Sequence, residues 1–352
     1  MKSNFKKYGV PFRGSKCALV DWIFKYIPSA ENFYDIFAGG CSMSHYALTH
    51  SRWNNVYSND LGRGSRLFTA CTTGELYINP TDHLNNLPNP KMMEYMEKDE
   101  FDKLKKVPYK ELELWQDWLM CCWSFGNDYL TFRIGKDYND NARLYHNAVV
   151  YLDLKPFEKV AGCDLSFIKD IPNVFDRFNK TLNYVMKNGN KIPHFNSRAY
   201  ACMSRLNAIY ESISEHNNSS AGVSRFFDIK TTKPTFSLTN QDYRDVEIKP
   251  NSVIYADPPY IGSDYGGAYL IKQGQFDHEA FYQWAESQNE LVIISEYRMP
   301  EDRFVCISEH KQIGSTGWDN FTHENGKRKV EKLFVPKHQL DMVKRFCDKE
   351  IR

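Results

Sequence analysis

The apolar positions of the chain form short strand-like runs near both ends and helical patterns between them. Runs of β-branched and aromatic residues, each closed by polar or turn-forming residues, predict strands at 33–37, 56–60, 235–238, 253–256, 290–297 and 330–335. Apolar residues recurring every three to four positions predict a helix over 19–27, which ends before Pro28. Strands that alternate with helices in this way are typical of an α/β fold.

The middle of the chain, residues 62–234, has no further unit in which a strand runs through a glycine turn into a helix. Mixed charges over 93–118 predict a solvated helical face. Apolar residues on one side of 198–213 predict a helix that packs in a core. This region is therefore mainly helical by prediction.

Composition adds little for the chain as a whole and more for one segment. The 352 residues carry a net charge of +1, so any nucleic-acid site must come from local charge separation. Residues 176–210 contain six basic residues against one acid, with aromatic residues interleaved. Such a segment favours contacts with DNA phosphates, although part of it also fits a core helix. The predicted DNA-contacting residues are Arg177, Lys180, Lys187, Lys191, Arg198 and Arg205.

The nine cysteines show no pair spaced as in a zinc site, and no disulfide framework is indicated. We predict no bound metal. Because no apolar run approaches the roughly 20 residues that span a bilayer, we predict a cytoplasmic protein without a membrane partner.

The strongest chemical pattern is the end of the strand at 253–256, where Asp257, Pro258, Pro259 and Tyr260 follow directly. Two prolines cannot continue a central strand, and they leave carbonyl oxygens without ladder partners. A carboxylate and a carbonyl could accept both hydrogens of an exocyclic amine such as adenine N6, while the tyrosine stacks on a flipped base. An ordinary turn after a strand is the alternative interpretation.

Two other segments suit a nucleoside cofactor. The strand ending at Phe37 runs into Ala38 and Gly39, where small residues allow a ligand to approach the backbone. About 20 residues later, Asp60 ends the next predicted strand, the spacing expected of a carboxylate that accepts hydrogen bonds from ribose hydroxyls. Lys16 follows a glycine-serine turn at a predicted helix start, where an anion could bind.

The chain contains five motifs in order: F-R-G-S-K at 12–16, D-I-F-A-G-G-C at 35–41, S-N-D-L at 58–61, N-Q-D-Y at 240–243 and D-P-P-Y at 257–260. This series resembles the motifs of the Dam-like, D12-class adenine-N6 DNA methyltransferases. The resemblance implies a Rossmann-like S-adenosylmethionine-dependent methyltransferase sheet with an inserted, mainly helical target-recognition domain. It implies a discontinuous catalytic domain at 1–61 and 235–340, a target-recognition domain at 62–234 and a tail at 341–352.

The resemblance also implies roles for individual residues. Asp257, Pro258, Pro259 and Tyr260 would form the catalytic target-base site. S-adenosylmethionine would be bound by Phe12, Lys16, Asp35, Phe37, Ala38, Gly39, Asp60, Asp242, Tyr243 and Asp257. Double-stranded DNA would be the substrate, and a cognate restriction endonuclease is a candidate partner; the oligomeric state and the recognition sequence stay open.

Two positions depart from the family pattern. Cys41 replaces the usual last glycine of the cofactor motif, and Phe12 replaces the tryptophan of some members. Cysteine lacks the freedom of glycine at positive φ, so we expect a lower affinity for the cofactor. The alternatives to adenine-N6 methylation are cytosine-N4 methylation, methylation of RNA or of a protein amide, and a DNA-binding regulator that has lost turnover.

Overall fold

A computed structural model of the chain describes residues 8–12, 14–50, 52–133, 139–192, 199–223, 234–261, 276–310 and 330–344. The chain divides into two compact units, one formed by residues 1–9, 15–65 and 215–352 and the other by residues 10–14 and 66–214. The middle of the sequence thus interrupts the first unit. Assignment of residues 62–234 to target recognition stays a prediction.

One mixed sheet organises the described part of the first unit, with strand order β3-β2-β1-β4-β5-β7-β6. The strands are β1 (Asn32–Asp35), β2 (Asn55–Asn59), β3 (Thr235–Thr239), β4 (Ser252–Ala256), β5 (Leu291–Glu296), β6 (Phe304–His310) and β7 (Glu331–Pro336). Neighbouring strands from β3 through β5 pair in parallel, whereas β7 is antiparallel to both β5 and β6. Every residue of β4 and β5 is buried, as expected for central strands covered on both faces.

The strand order determines where polar residues meet. β1 pairs with β2 on one side and with β4 on the other, and Asp35 is level with both Ser58 and Tyr255. The carboxyl ends of β1, β2, β4 and β5 therefore lie along one edge of the sheet, which we call the carboxyl edge. Because β7 runs in the opposite direction, its first residue, Glu331, lies at this same edge. In open α/β sheets, ligands bind at such an edge where the strand order reverses.

The described helices of eight or more residues belong mostly to the second unit. With the shorter ones included, the described α-helices are α1 (Val20–Ile23), α2 (Ser42–Leu48), α3 (Arg63–Thr73), α4 (Lys98–Leu104), α5 (Leu114–Trp123), α6 (Asn139–Val150), α7 (Leu154–Ala161), α8 (Val174–Asn188), α9 (Ala199–Val223) and α10 (His278–Ser287). Residues 340–344 are also helical, and residues 345–352 of the predicted tail lie outside the described part.

The predicted helix over 19–27 is much shorter in the structure. A 3-10 turn at Lys16–Ala18 begins with the Ser15 hydroxyl accepting a hydrogen bond from Cys17 N, and α1 follows with four residues. Leu19 has φ −110°, outside α-helical geometry, so the turn and α1 do not merge. The apolar pattern nevertheless identified buried positions, since Leu19, Ile23 and Ile27 all belong to the core.

Helix α10 covers one face of the sheet. The Asp277 carboxylate caps it by accepting a hydrogen bond from Ala280 N at 2.9 Å. Phe281 and Ala285 then pack in one buried cluster with Val292 and Ile294 of β5. This packing explains the helical spacing of the apolar residues Phe281, Trp284 and Ala285.

The described residues of the second unit are mainly helical, as the sequence predicts. Trp118 and Trp123 of α5 and Phe157 of α7 are fully buried. The Asn207 side chain donates to Ile78 O at 2.7 Å and accepts from Ile78 N at 2.8 Å, so a buried amide holds the chain near α9. In the described part of the chain, no helix is both long enough and apolar enough to cross a membrane.

Candidate active site

Asp257 follows β4 directly and meets a buried lysine at the carboxyl edge. Lys16 Nζ lies 2.8 Å from Asp257 Oδ1 and 3.8 Å from Glu331 Oε1. The side chains are only 10 %, 18 % and 8 % exposed respectively, so water screens these charges weakly. Lys16 thus offsets two carboxylates that would otherwise repel each other.

Contacts with Glu331, Lys16 and Tyr297 orient Tyr260. Its hydroxyl donates a short hydrogen bond to Glu331 Oε1. Lys16 Nζ lies over the ring, 4.7 Å from its centroid, and Tyr297 packs edge to face with centroids 4.7 Å apart. The ring is therefore held in one orientation before any base could stack on it.

Glu296, at the end of β5, ties the loop after β4 to the sheet. Its carboxylate accepts hydrogen bonds from Ile261 N at 2.8 Å and from Tyr297 N at 2.5 Å. Burial raises the pKa of Glu296 to about 8, against the lowering effect of these two bonds. Burial also raises the pKa of Glu331, although Lys16 opposes that shift. We call Lys16, Asp257, Tyr260, Glu296 and Glu331 the carboxylate cluster.

The second part of the edge is the glycine loop, residues 37–41, between β1 and α2. Asp60, at the end of β2, accepts a hydrogen bond from Gly39 N at 2.8 Å through Oδ2 and from Gly62 N at 2.5 Å through Oδ1. The pKa of Asp60 is raised by burial and lowered by these two amides. The carboxylate thus shapes the loop through backbone N–H groups.

Asp35, the last residue of β1, supports the same loop from inside. It is 1 % exposed, and its Oδ2 accepts hydrogen bonds from Ser44 N at 3.2 Å and Ser44 Oγ at 2.5 Å. Ser44 Oγ also lies 2.6 Å from Ser58 Oγ on β2. Burial raises the pKa of Asp35 to about 7, and the carboxylates of Asp257 and Asp60 add to the shift.

Cys41 closes the glycine loop in the left-handed region, with φ 57° and ψ 36°. Its N–H donates to Ala38 O at 2.6 Å, which makes the tight turn into α2. A residue with a side chain is strained in this left-handed conformation, which glycine adopts freely. Gly9 is constrained too, because a Cβ there would lie 2.4 Å from Gly40 O.

An aromatic group borders the glycine loop. Phe37 is half-buried, and its ring centroid lies 5.2 Å from that of Tyr243. Tyr243 packs edge to face on Trp284 at 5.3 Å. The neighbouring Asp242 forms a two-pronged pair with Arg244, Nε to Oδ1 at 2.8 Å and Nη2 to Oδ2 at 2.7 Å. A cofactor role for Asp242 and Tyr243 stays a prediction.

A family comparison gives this arrangement a biochemical context. The model of the D12 class N6 adenine-specific DNA methyltransferases matches residues 12–297. The chain belongs to this family. A search of curated proteins found no match. As a D12 class methyltransferase, the protein is an enzyme that methylates adenine N6 in DNA, and such enzymes generally take the methyl group from S-adenosylmethionine.

Within this D12 class methyltransferase, the structure separates the predicted cofactor residues. Asp35, Phe37, Ala38, Gly39 and Asp60 come together around the glycine loop. The Lys16 ammonium lies 2.8 Å from Asp257 and 3.8 Å from Glu331, and its cofactor role stays a prediction. Half-buried Phe12 groups with the second unit of the methyltransferase.

One predicted DNA contact of the methyltransferase is wrong. Arg177 is 5 % exposed, and its guanidinium donates to Val149 O at 2.7 Å and to Ile171 O at 3.0 and 3.1 Å. It stabilises backbone carbonyls inside the second unit, so it is not available to phosphates. Sequence charge alone could not distinguish a buried arginine from an exposed one.

The other predicted DNA contacts stay predictions. Lys180 and Lys187 are exposed on α8, and their spacing of seven residues places them on one helical face; Lys191 is exposed after the helix. Arg205 is half-buried on α9. Arg198 lies outside the described residues.

Sequence reasoning missed Glu331 as part of the methyltransferase site. It begins β7, whose last four residues are apolar, and a charged residue at a strand end was the available signal. That signal has meaning only once β7 is known to run antiparallel to β5, because a parallel strand would place Glu331 at the opposite edge.

Proposed function

We propose that the protein is a site-specific methyltransferase that transfers methyl from S-adenosylmethionine to N6 of an adenine rotated out of duplex DNA. The observation that carries this proposal is the position of Asp257. It follows a fully buried strand at the carboxyl edge, is held by Lys16, and precedes two buried prolines.

The glycine loop fits the nucleoside part of the cofactor. Asp60 is half-buried, and each of its oxygens has accepted one backbone N–H, which leaves acceptor capacity for ribose hydroxyls. Phe37 offers an apolar aromatic surface beside the loop. Asp60, Phe37, Ala38 and Gly39 would therefore hold S-adenosylmethionine. When bound, the cofactor supplies an electrophilic methyl group on a sulfonium.

The carboxylate cluster fits the target amine. Adenine N6 is a weak nucleophile because its lone pair is delocalised into the ring. The Asp257 carboxylate and the Pro258 carbonyl would accept hydrogen bonds from the two N6 hydrogens and draw the nitrogen toward tetrahedral geometry. The Lys16 ammonium, 2.8 Å from Asp257 Oδ1, would hold this carboxylate in place for that role.

Tyr260 would stack on the flipped base, an interaction worth about 1–3 kcal/mol per base in other systems. Its ring is already oriented by Glu331, Lys16 and Tyr297. On the DNA side, the exposed Lys180 and Lys187 on one face of α8 support phosphate contacts by the second unit.

The test is transfer of labelled methyl from S-adenosylmethionine to unmethylated duplex DNA, followed by single-molecule sequencing of the product. We expect label on adenine at one recognition sequence, lost in Asp257→Ala and retained in Asp302→Ala, an exposed aspartate of the same unit. Equal activity of both variants would reject the assignment of Asp257. Binding of cofactor and DNA without methyl transfer would instead support the regulator without turnover.

A further inference from the structure

The described residues contain one buried carboxylate that contacts the target-base site from a strand outside the recognised motifs. Glu331 begins β7, and the family match ends at residue 297. Its side chain is 8 % exposed. A buried carboxylate disfavours folding unless its contacts offset the lost hydration, so its position needs a reason.

The contacts of Glu331 all lead to the carboxylate cluster. The Tyr260 hydroxyl donates to Oε1, and Lys16 Nζ lies 3.8 Å from the same oxygen. Lys16 Nζ lies closer to Asp257 Oδ1, at 2.8 Å, than to Glu331 Oε1, at 3.8 Å. One lysine therefore bridges Asp257 and Glu331, while Tyr260 is fixed by Glu331 at its hydroxyl end.

From this geometry we infer that Glu331 is a positioning residue for methyl transfer. It holds the Tyr260 ring in the orientation that receives the target adenine and shares the Lys16 ammonium with Asp257. This inference rests on the proposed role of the Asp257 to Tyr260 loop. Glu331 itself touches neither the base nor the methyl donor; it acts through Tyr260 and Lys16.

Two substitutions separate the functions of the carboxylate. Glu331→Gln keeps an oxygen that can accept the Tyr260 hydrogen but removes the charge that attracts Lys16. Glu331→Ala removes both the acceptor and the charge. If positioning depends on both contacts, kcat falls about 10-fold in Glu331→Gln and about 100-fold in Glu331→Ala, the size of effect that a misplaced reacting group produces. KM for S-adenosylmethionine should change less than about twofold, because uniform cofactor binding is untouched.

The matched control is Glu309→Gln on the neighbouring strand β6. Glu309 is exposed and pairs with Lys332 at 2.7 Å. The kcat and the pH profile of Glu309→Gln should equal those of the parent enzyme. Thermal unfolding of each variant gives the folded fraction, so that rates are compared per folded molecule.

A double-mutant cycle distinguishes positioning from a general structural role. If Glu331 acts through the Tyr260 hydroxyl, Tyr260→Phe and Glu331→Ala are non-additive in kcat, and the double variant is little slower than the slower single variant. The pH profile of kcat for Glu331→Gln should also differ from that of the parent, because Glu331, whose pKa is raised by burial, no longer titrates in the variant.

Additive effects in the cycle, or rates of both Glu331 variants within twofold of the parent per folded molecule, would overturn the inference. If the Glu331 variants melt at a lower temperature but keep the parent's pH profile of kcat, the role of Glu331 is purely structural and the inference is overturned. Asp257→Ala, measured in parallel, keeps this outcome apart from failure of the proposed site. An active Asp257→Ala enzyme would reject the site itself, whatever Glu331 does.

Discussion

The carboxylate cluster and the glycine loop lie on the same edge of one sheet, yet they offset buried negative charge in different ways. In the glycine loop, Asp35 and Asp60 accept hydrogen bonds from backbone N–H groups and a serine hydroxyl. In the carboxylate cluster, Asp257 and Glu331 share the single ammonium of Lys16. The first arrangement depends on backbone geometry and the second on one side chain.

This difference predicts how each region tolerates change. Backbone amides stay in place when a carboxylate is neutralised, so the glycine loop should keep its shape in conservative variants. Removing a shared cation leaves two buried carboxylates facing each other, and removal of one partner of a buried pair typically destabilises by about 3–5 kcal/mol. Four measurements test the contrast.

The largest effect is expected from Lys16→Met. It should lower the free energy of unfolding by about 3 kcal/mol or more, and kcat by about 100-fold or more, since Asp257 loses the charge that orients it. Denaturant unfolding and the methyl-transfer assay measure the two quantities. Lys25→Met, an exposed lysine nearby in sequence, is the control. Near-parental kcat in Lys16→Met would mean that Asp257 does not depend on the lysine.

The second effect concerns Asp35 and pH. Burial raises the pKa of Asp35 to about 7, above its ordinary value of 3.8, so the folded state binds this proton more tightly than the unfolded state. The stabilising contribution is fully present below about pH 4 and is lost as pH rises through about 7, with a slope of at most about 1.4 kcal/mol per pH unit.

Asp35→Asn should remove that part of the slope, so the variant gains stability relative to the parent between about pH 4 and pH 7. Denaturant unfolding at several pH values measures the difference, which separates Asp35 from other groups of raised pKa such as Glu296. A parallel pH dependence of the two proteins would show that Asp35 is not the titrating group.

Asp60→Asn should give a smaller effect, on cofactor binding. Loss of the ionised acceptor should raise KM for S-adenosylmethionine about 10-fold, equivalent to about 1.4 kcal/mol, while kcat changes less. Steady-state kinetics measure both constants, with the exposed Asp245→Asn as control. A change confined to kcat would place Asp60 in the chemistry of transfer and not in cofactor binding.

The smallest effect is expected at Cys41. Cys41→Gly and Cys41→Ala both lose the buried thiol, but only glycine relieves the backbone at φ 57°. The glycine variant should therefore be more stable than the alanine variant by about 1 kcal/mol. Thermal or denaturant unfolding of the pair measures it. Equal stability would indicate that neighbouring contacts, and not glycine's freedom, determine this turn.

The sequence predicted much of this architecture because its signals are local. β4 ends at Asp257, and the prolines that follow stop it, as their chemistry requires. Cys41 takes the positive φ expected of the position it occupies. The strand β6 was not predicted, although Phe304 to Ile307 is apolar and largely β-branched or aromatic.

Other predictions failed where a residue's environment decides its role. Arg177 belongs to a basic segment, but burial directs its guanidinium to backbone carbonyls. The helix predicted over 19–27 had the right apolar positions, but α1 ends at Ile23. Periodicity reports which side chains face a core and not whether the backbone between them stays helical.

The sequence by itself determined the α/β class, the strand ends that carry Asp60 and Asp257, and the turn that strains Cys41. Only the tertiary structure decided that Lys16 pairs with Asp257 and that Glu331 contacts Tyr260, 71 residues away along the chain. Local patterns follow from propensity and periodicity, which act over a few residues. Contacts across the sheet depend on strand order and direction, which the packing of the whole unit selects.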